Sequence, residues 1–531
     1  MPVFTCLPPA RTESSLTALI KSTFSTGFMT LLSRVLGLAR DIIIARFYSA
    51  GIEADAFFVA FKIPNFMRRL FAEGAFSLAF VPVLTEYRNT RSFDECRRLI
   101  DQTAGTLGLL LIILSVLGVL GAPLLVYVVA AGFSDDPVKF DLTADMLRLT
   151  FPYIFLISMT AMAGGILNTW KRFAAPAFTP VLLNLSLIGC TLYLSPLLDI
   201  PVHALAWGVL LAGVVQLLFQ LPFLYRLGLL PRPVWGWRQP GVQKILRLMV
   251  PALFGSSVAQ INLLFDTFIA SFLVTGSVSW LYYSDRLLEF PLGVFGIALA
   301  TVVLPNLSES HFRQGKAHFN ALLAWAVRLA LLIALPATVG LMLLAQPILA
   351  TLFQYGQFDE SDNLMAAMSL MAYSLGLPAF ILIKILANAF YARQDSKTPV
   401  RIGIKAMLVN MLLNVLFVGY LLLYTEVPGH VGLALATTGS AYFNASWLAL
   451  GLRREGYLQF APGFAQALLK TLLASAGMAA LLVYLGQDVS LWSSWLWHER
   501  LWQLAAAILP AILCYALLLW IMGLRPAHFL R

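Results

Sequence analysis

Charge is scarce in this chain of 531 residues: Asp, Glu, Lys and Arg make up 12% of it, against 60% hydrophobic residues. With a mean hydropathy of +0.81, that shortage excludes an ordinary soluble domain and points to a polytopic membrane protein. Cysteine is nearly missing too. Cys6, Cys96, Cys190 and Cys514 are scattered without paired spacing, which excludes a disulfide framework and a zinc site. The chain has no GxxxxGK[ST] run, no loop long enough for a nucleotide-hydrolysing domain, and neither a catalytic triad nor a metal-ligand spacing in its loops. No catalytic residue, resident metal or cofactor is expected, although a coupling monovalent ion stays open.

What is present is apolar sequence in long runs. Windows of about 20 apolar residues number fourteen, from 22–48 to 501–524, and leave little for a soluble domain. Residues 1–21 lack the basic-then-apolar order of a cleavable signal and read as a short cytoplasmic extension. The loops between windows alternate in charge. One set, together with the termini, holds Arg88, Arg91, Arg97, Arg98, Lys171, Arg172, Arg226, Arg313, Lys316, Arg393, Lys397, Arg453 and Arg454. The other holds Lys139 and Arg500 among Glu53, Asp135, Asp136, Asp141, Asp145, Asp359, Glu360 and Asp362. Cytoplasmic loops retain Lys and Arg, so both termini are expected in the cytoplasm. This sidedness accounts for most of the net charge of +10, makes nucleic acid an unnecessary partner and suits the inner face to anionic membrane lipids.

The chain also repeats itself. FVPVLTEY, with Pro82, Leu84 and Glu86, is matched 223 residues later by VVLPNLSES, with Pro305, Leu307 and Glu309. ILNTWKRFAAPAFTPV (166–181) resembles ILANAFYARQDSKTPV (385–400) at an offset of 219, and HALAWG resembles GLALAT at about 230. The expected fold is therefore all-α with about fourteen transmembrane helices: an N-lobe over 22–226, a linker over 227–244, a C-lobe over 245–452, and two further helices over 453–531. Six helices per copy keep both copies in one orientation, a parallel repeat of the kind that builds alternating-access transporters.

Ionisable residues inside such windows are costly, roughly 2.5–3.5 kcal/mol for a mid-bilayer Arg, and normally face a bundle interior or a wet cavity. The first window carries Arg34, Arg40, Asp41 and Arg46. Arg34 and Asp41 lie two turns apart on one face, so Asp41 is a candidate to neutralise and orient a neighbouring arginine. The repeat supplies a control: 223 residues on from Arg34, Arg40 and Asp41 stand Ser257, Leu263 and Leu264, so the repeated fold itself does not require the charges. A cationic site for an anion and a set of structural ion pairs both remain open. Arg46, Arg68 and Arg69 are explained equally by snorkelling at helix ends. YYSDRLLEFPLG adds Asp285, Arg286 and Glu289, with Arg286 and Glu289 spaced to pair and Pro291 placed to weaken the helix beside them. A moving gate and an interfacial charge cluster both fit that spacing. The preference for Arg over Lys favours a phosphate-bearing substrate, because guanidinium binds phosphate by a two-point fork and sheds water readily.

SRVLGLARDIIIARFYSAGIEADAFFVAFKIPNFMRRLFAEGAFSLAFVPVLTEY (33–87) resembles the opening of the MurJ/MviN lipid II flippases, within the multidrug/oligosaccharidyl-lipid/polysaccharide exporter superfamily. The resemblance continues through GSVSWLYYSDRLLEFPLGVFGIALATVVLP (276–305), FQYGQF (353–358) and FYARQDSKTPV (390–400). It implies a bacterial inner-membrane flippase, not an enzyme, with two lobes around a cationic cavity and a groove for the polyprenyl tail on the last two helices. Its substrate would be lipid II, the polyprenyl diphosphate-linked disaccharide-pentapeptide, with cell-wall synthesis proteins as further partners. Carried over by motif, substrate-binding roles fall on Arg34, Arg40, Asp41, Arg68 and Arg286, and gating or charge-pair roles on Asp55 and Glu289, beside Asp285. Alternatives are a flippase for another polyprenyl-linked glycan, or a cation-coupled multidrug exporter of the superfamily, which would need buried carboxylates in place of arginines.

Overall fold

The computed structural model describes residues 15–69, 75–460, 462–486 and 489–524. Helices build it, and no strand occurs among the described residues. Hydrocarbon offers no water to backbone N–H and C=O groups, so each apolar segment satisfies them within its own helix. The described residues up to 272 cluster as one compact unit and those from 273 as a second.

The first unit comprises α1 (Ser15–Tyr48), α2 (Ile52–Met67), α3 (Ser77–Thr90), α4 (Phe93–Leu120), α5 (Ala122–Val129), α6 (Pro137–Thr150), α7 (Tyr153–Thr169), α8 (Ala174–Gly189), α9 (His203–Arg226) and α10 (Pro240–Ser271). Helix α1 packs on α8, α8 and α7 on α9, and α2 on α6, with Phe57, Phe80, Phe133 and Tyr153 fully buried among them. The second unit comprises α11 (Ser277–Pro291), α12 (Ala298–Glu309), α13 (Lys316–Leu343), α14 (Ala345–Leu352), α15 (Glu360–Ser374), α16 (Leu377–Ala392), α17 (Lys397–Tyr424), α18 (Gly429–Arg454), α19 (Phe464–Leu485), α20 (Val489–Ser494) and α21 (Trp497–Ile521). Its core runs through Phe319, Leu323, Val327, Ile381, Ile385, Phe390 and Leu448. The last long helices, α19 and α21, pack on one another, and α19 packs on α13. Arg500 fastens α21 to the unit: its buried guanidinium donates to the carbonyls of Ala350 (2.7 Å) and Gln354 (2.9 Å) at the end of α14.

Among the described residues nine helical stretches are long and apolar enough to cross a membrane, ten if α15 and α16, bent by 41°, serve as one. The four remaining sequence windows fall on α1, on α2 with α3, on α10 and on α18. Of these, α1 carries charges along its length, and α18 is diluted by Gly, Thr and Ser.

The repeat is written into local geometry. Helices α4 and α13 both have 28 residues and lead into 8-residue helices, α5 and α14, with their starts 223 positions apart. Asp136 caps α6 by accepting from the N–H groups of Val138 and Lys139, and Asp359, 223 positions on, caps α15 by accepting from that of Asp362. Lys171 and Gln394 hold left-handed conformations (φ 60° and 61°) in matching turns. In those turns Arg172 N–H donates to the Leu167 carbonyl at 2.8 Å, and Asp395 N–H to the Phe390 carbonyl at 3.0 Å. The structural register here is 223, so the Thr-Pro-Val match at 219 is four residues out. One helical turn is the slip a 3.6-residue period hides best, since it returns residues to nearly the same face.

Helix α10 departs from the repeat. It is the counterpart of α1, yet it packs along α3, α5, α4 and α2 of the first unit. Lys244 of α10 pairs with Glu86 of α3 at 2.6 Å. Toward its other end the Ser271 hydroxyl accepts from the Gly132 N–H at 3.0 Å. A Cβ on Gly132 would stand 2.4 Å from the Ser271 carbonyl, so only glycine permits this approach. Division by compactness therefore falls after residue 272, whereas division by repeat opens the second copy at 245.

Candidate functional site

Helix α1 presents two arginines in contrasting settings. Arg40 is buried, 6% exposed, and donates from Nε (2.9 Å) and Nη2 (2.6 Å) to Oδ1 of Asp41. Its Nη1 donates to Asn184 Oδ1 of α8 at 3.1 Å, and Asn184 Nδ2 donates back to the Ser33 carbonyl of α1 at 2.9 Å. Gly37 faces the same asparagine, which a Cβ there would meet at 3.7 Å. Arg34, one and a half turns earlier, is exposed and has no ion pair or side-chain hydrogen bond among the described residues. Asp41 therefore neutralises Arg40 and leaves Arg34 uncompensated. Seven residues of helix rise about 10 Å, too far for a short carboxylate to reach Arg34, whereas the adjacent long guanidinium folds back onto it.

Asp55 of α2 is fully buried and paired with Lys139 of α6, Nζ to Oδ2 at 2.8 Å. The same ammonium lies 4.1 Å from the centre of the Phe133 ring. Taking two charges out of water costs several kcal/mol each unless they meet in good geometry with further partners, and the cap at Asp136 aims Lys139 inward to supply it. Arg68, following α2, donates from Nε and Nη2 to Asn65 Oδ1 at 3.0 and 2.7 Å.

In the second unit, Arg286 of α11 pairs with Glu289 at 2.9 Å, both side chains half-exposed, and donates to the Tyr282 hydroxyl at 3.2 Å. Asp285 beside it is exposed. After Pro291 the chain continues as a π-helix over Leu292–Ile297 before α12 resumes the α-helical pitch. Proline removes an N–H and crowds the preceding turn, and a π segment is how a helix absorbs the defect without ending.

The structure thus brings Arg40, Asp41, Asn184 and Ser33 together, joins Asp55 to Lys139 and Arg68 to Asn65, and joins Arg286 to Glu289 and Tyr282. Asn184 and Lys139 were not singled out from sequence. A lone amide in the apolar helix α8, and a lone lysine in an acidic set of loops, were the available signals. Among the described residues no three His, Cys, Asp or Glu side chains gather as metal ligands do.

Comparison with known proteins places this geometry. Residues 44–505 match the family model described as lipid II flippase MurJ. The chain belongs to the MurJ lipid II flippase family. It is 48% identical to the probable lipid II flippase MurJ of Vibrio cholerae, over 96% of this chain and 97% of that one. It is 43% identical to the lipid II flippase MurJ of Burkholderia cenocepacia, over 97% and 99%. A solved MurJ in an inward closed conformation superposes with a TM-score of 0.78 at 26% identity, covering 95% of this chain and 99% of that one. An inward-facing multidrug resistance MATE family transporter shares the fold, with a TM-score of 0.63 at 16% identity over 81% of this chain and 98% of that one. Membership in the MurJ family makes this a multi-pass membrane transporter and not an enzyme.

Proposed function

We propose that this chain flips lipid II, carrying its diphosphate-linked head group from the cytoplasmic to the periplasmic leaflet of the bacterial inner membrane, with both termini in the cytoplasm. The observation that carries the reading is Arg34: an exposed guanidinium in an intramembrane helix, with no counter-ion among the described residues, in a chain nearly half identical to named flippases. A charge in that setting is supported by an anionic visitor.

Arg34 makes the first contact with the diphosphate. Arg40, held in place by Asp41, exchanges its neutral Asn184 acceptor for a phosphate oxygen, a charge-assisted and stronger bond. Arg68 can exchange Asn65 in the same way. Arg286 releases Glu289, a half-exposed pair whose contribution is about 0–1 kcal/mol. Arg40, Arg68 and Arg286 thus each begin with a partner that a dianion displaces. An anion bound to these arginines favours the loaded form and shifts the population toward it. The π segment after Pro291 gives α11 and α12 a place to bend. Exposed apolar side chains of α19 and α21 provide a track for the polyprenyl tail. No bond is made or broken in the cycle, and an inside-negative potential favours outward movement of an anion by about 2.3 kcal/mol per charge per 100 mV.

The test is depletion of the native protein followed by complementation, reading lipid II exposed on the outer leaflet. Wild type restores exposure and Arg34→Ala does not. Full exposure with Arg34→Ala at wild-type abundance would discard the reading.

A further inference from the structure

The second unit carries a row of cations that the transport mechanism does not use. Lys397, Arg401 and Lys405 follow one another at four-residue spacing along one face of α17, and all three are exposed. The row rises about 12 Å along the helix. Helix α18 runs antiparallel beside it: Trp447, itself 41% exposed, lies under Lys405 with the ammonium 4.7 Å from its ring centre. Two turns on, Arg454 is exposed near the start of the row. None of the four cationic side chains has an ion pair among the described residues. The acidic groups at this end are engaged elsewhere, Asp395 in capping α17 through the Lys397 and Thr398 N–H groups and Glu455 in a pair with Arg393.

The repeat shows that the fold does not need them. In the structural register of 223, the counterparts of Lys397, Arg401 and Lys405 on α8 are Ala174, Phe178 and Leu182. Gly228 and Gly456, with the same φ of 70°, fix a register of 228 for α9 and α18, which sets Phe219 against Trp447. Phe178 and Phe219 meet ring to ring at 5.3 Å. The first copy closes this helix pair with hydrocarbon, and the second opens a cationic row at the same place. Only Arg454 keeps a basic counterpart, Arg226. Beyond Lys405 the face of α17 continues with exposed Leu408, Leu412 and Leu416.

We infer that this face binds an anionic phospholipid of the inner leaflet, its phosphate held between Arg401 and Lys405 and its acyl chains lying along Leu408 and Leu412. The inference rests on the proposed topology, which puts the start of α17 in the cytoplasm, and not on which lipid is transported. The shape fits: cations at the depth of a head group, an indole at the interface where Trp is favoured, and hydrocarbon below.

The test is native mass spectrometry of the full-length protein in detergent with added phosphatidylglycerol, phosphatidylcholine or undecaprenyl diphosphate. Wild type retains phosphatidylglycerol over phosphatidylcholine. Arg401→Ala with Lys405→Ala loses phosphatidylglycerol affinity by roughly thirtyfold, about fivefold per cation, and keeps its affinity for undecaprenyl diphosphate, while Arg401→Lys with Lys405→Arg keeps both. Unchanged phosphatidylglycerol retention in the alanine variant overturns the proposal, as does loss of undecaprenyl diphosphate alone, which would give the row to the transported lipid. Should the alanine variant fail to fold, the tryptophan itself reports: the emission lost on Trp447→Phe should be quenched more by brominated phosphatidylglycerol than by brominated phosphatidylcholine. Equal quenching refutes the site.

Discussion

Arg40 and Asp41, neighbours in the chain, are tied through two guanidinium nitrogens at 2.9 and 2.6 Å to a single carboxylate oxygen. Within α1 this divides labour: Arg40 is fixed and neutralised, and Arg34 is left open. Asp41→Ala should therefore strand a buried cation and lower stability by about 3–5 kcal/mol, read as a fall in melting temperature and abundance. Arg34→Ala should leave the melting temperature unchanged and abolish lipid II exposure. Equal destabilisation by both would contradict the division.

The buried Asp55–Lys139 pair should behave as a structural tie. Lys139→Ala leaves a buried carboxylate alone and is expected to cost about 3–5 kcal/mol, whereas Asp55→Leu combined with Lys139→Met should recover most of the loss. Thermal unfolding in detergent measures both. A double variant that folds well but does not flip would give the pair a role in transport.

In the proposed mechanism Glu289 competes with phosphate for Arg286, with which it pairs at 2.9 Å. Glu289→Gln removes the competitor's charge, so binding of undecaprenyl diphosphate should tighten by up to about fivefold, the upper value of a half-exposed pair. Arg286→Lys keeps the charge but loses the fork, and binding should weaken. Titration with the diphosphate in detergent separates the two effects.

Asp395 stands in the turn before α17. Burial alone would raise its pKa, but bonds from the Thr398 side chain and from the Thr398 and Lys397 N–H groups, with Arg393 nearby, hold it below its ordinary value near 3.8. A carboxyl depressed in the folded state stabilises fully above its unfolded pKa and loses that contribution as pH falls through the folded one. Acid unfolding of wild type below pH 3.8 should accordingly be steeper than that of Asp395→Asn, whose amide does not titrate. Parallel acid profiles would remove Asp395 from the account.

Lys171 and Gln394 hold positive φ without being glycine. Glycine accepts that conformation without strain, so Lys171→Gly and Gln394→Gly should raise the melting temperature slightly, and valine at either place should lower it by at least about 1 kcal/mol equivalent.

How much of this could be read from the residues differs by element. The all-α membrane class followed from composition, the two copies from short matches, and the weak point after Pro291 from proline chemistry. Asp41 is legible as the partner of a neighbouring arginine, but which arginine is not, because helical spacing reports which residues share a face, not which side chain is long enough to fold back on its neighbour. Lys139 read as a loop charge, since only the packing of α6 on α2 reveals that its cap turns it inward. Arg500 was likewise counted with the loops, although it docks α21 on carbonyls that carry no signature in sequence. The membership of α10 was invisible for a related reason: descent places it with the second copy, and its contacts were made with the first.

That crossed membership of α10 has a practical side. A gene cut at the inter-repeat linker, around 227–244, would separate the Lys244–Glu86 pair and the Gly132–Ser271 contact into different polypeptides. Cutting between Phe272 and Gly276 keeps both in one product. Split reporters, circular permutants and chimaeras exchanging halves between relatives are best joined there, at the seam of packing and not of ancestry.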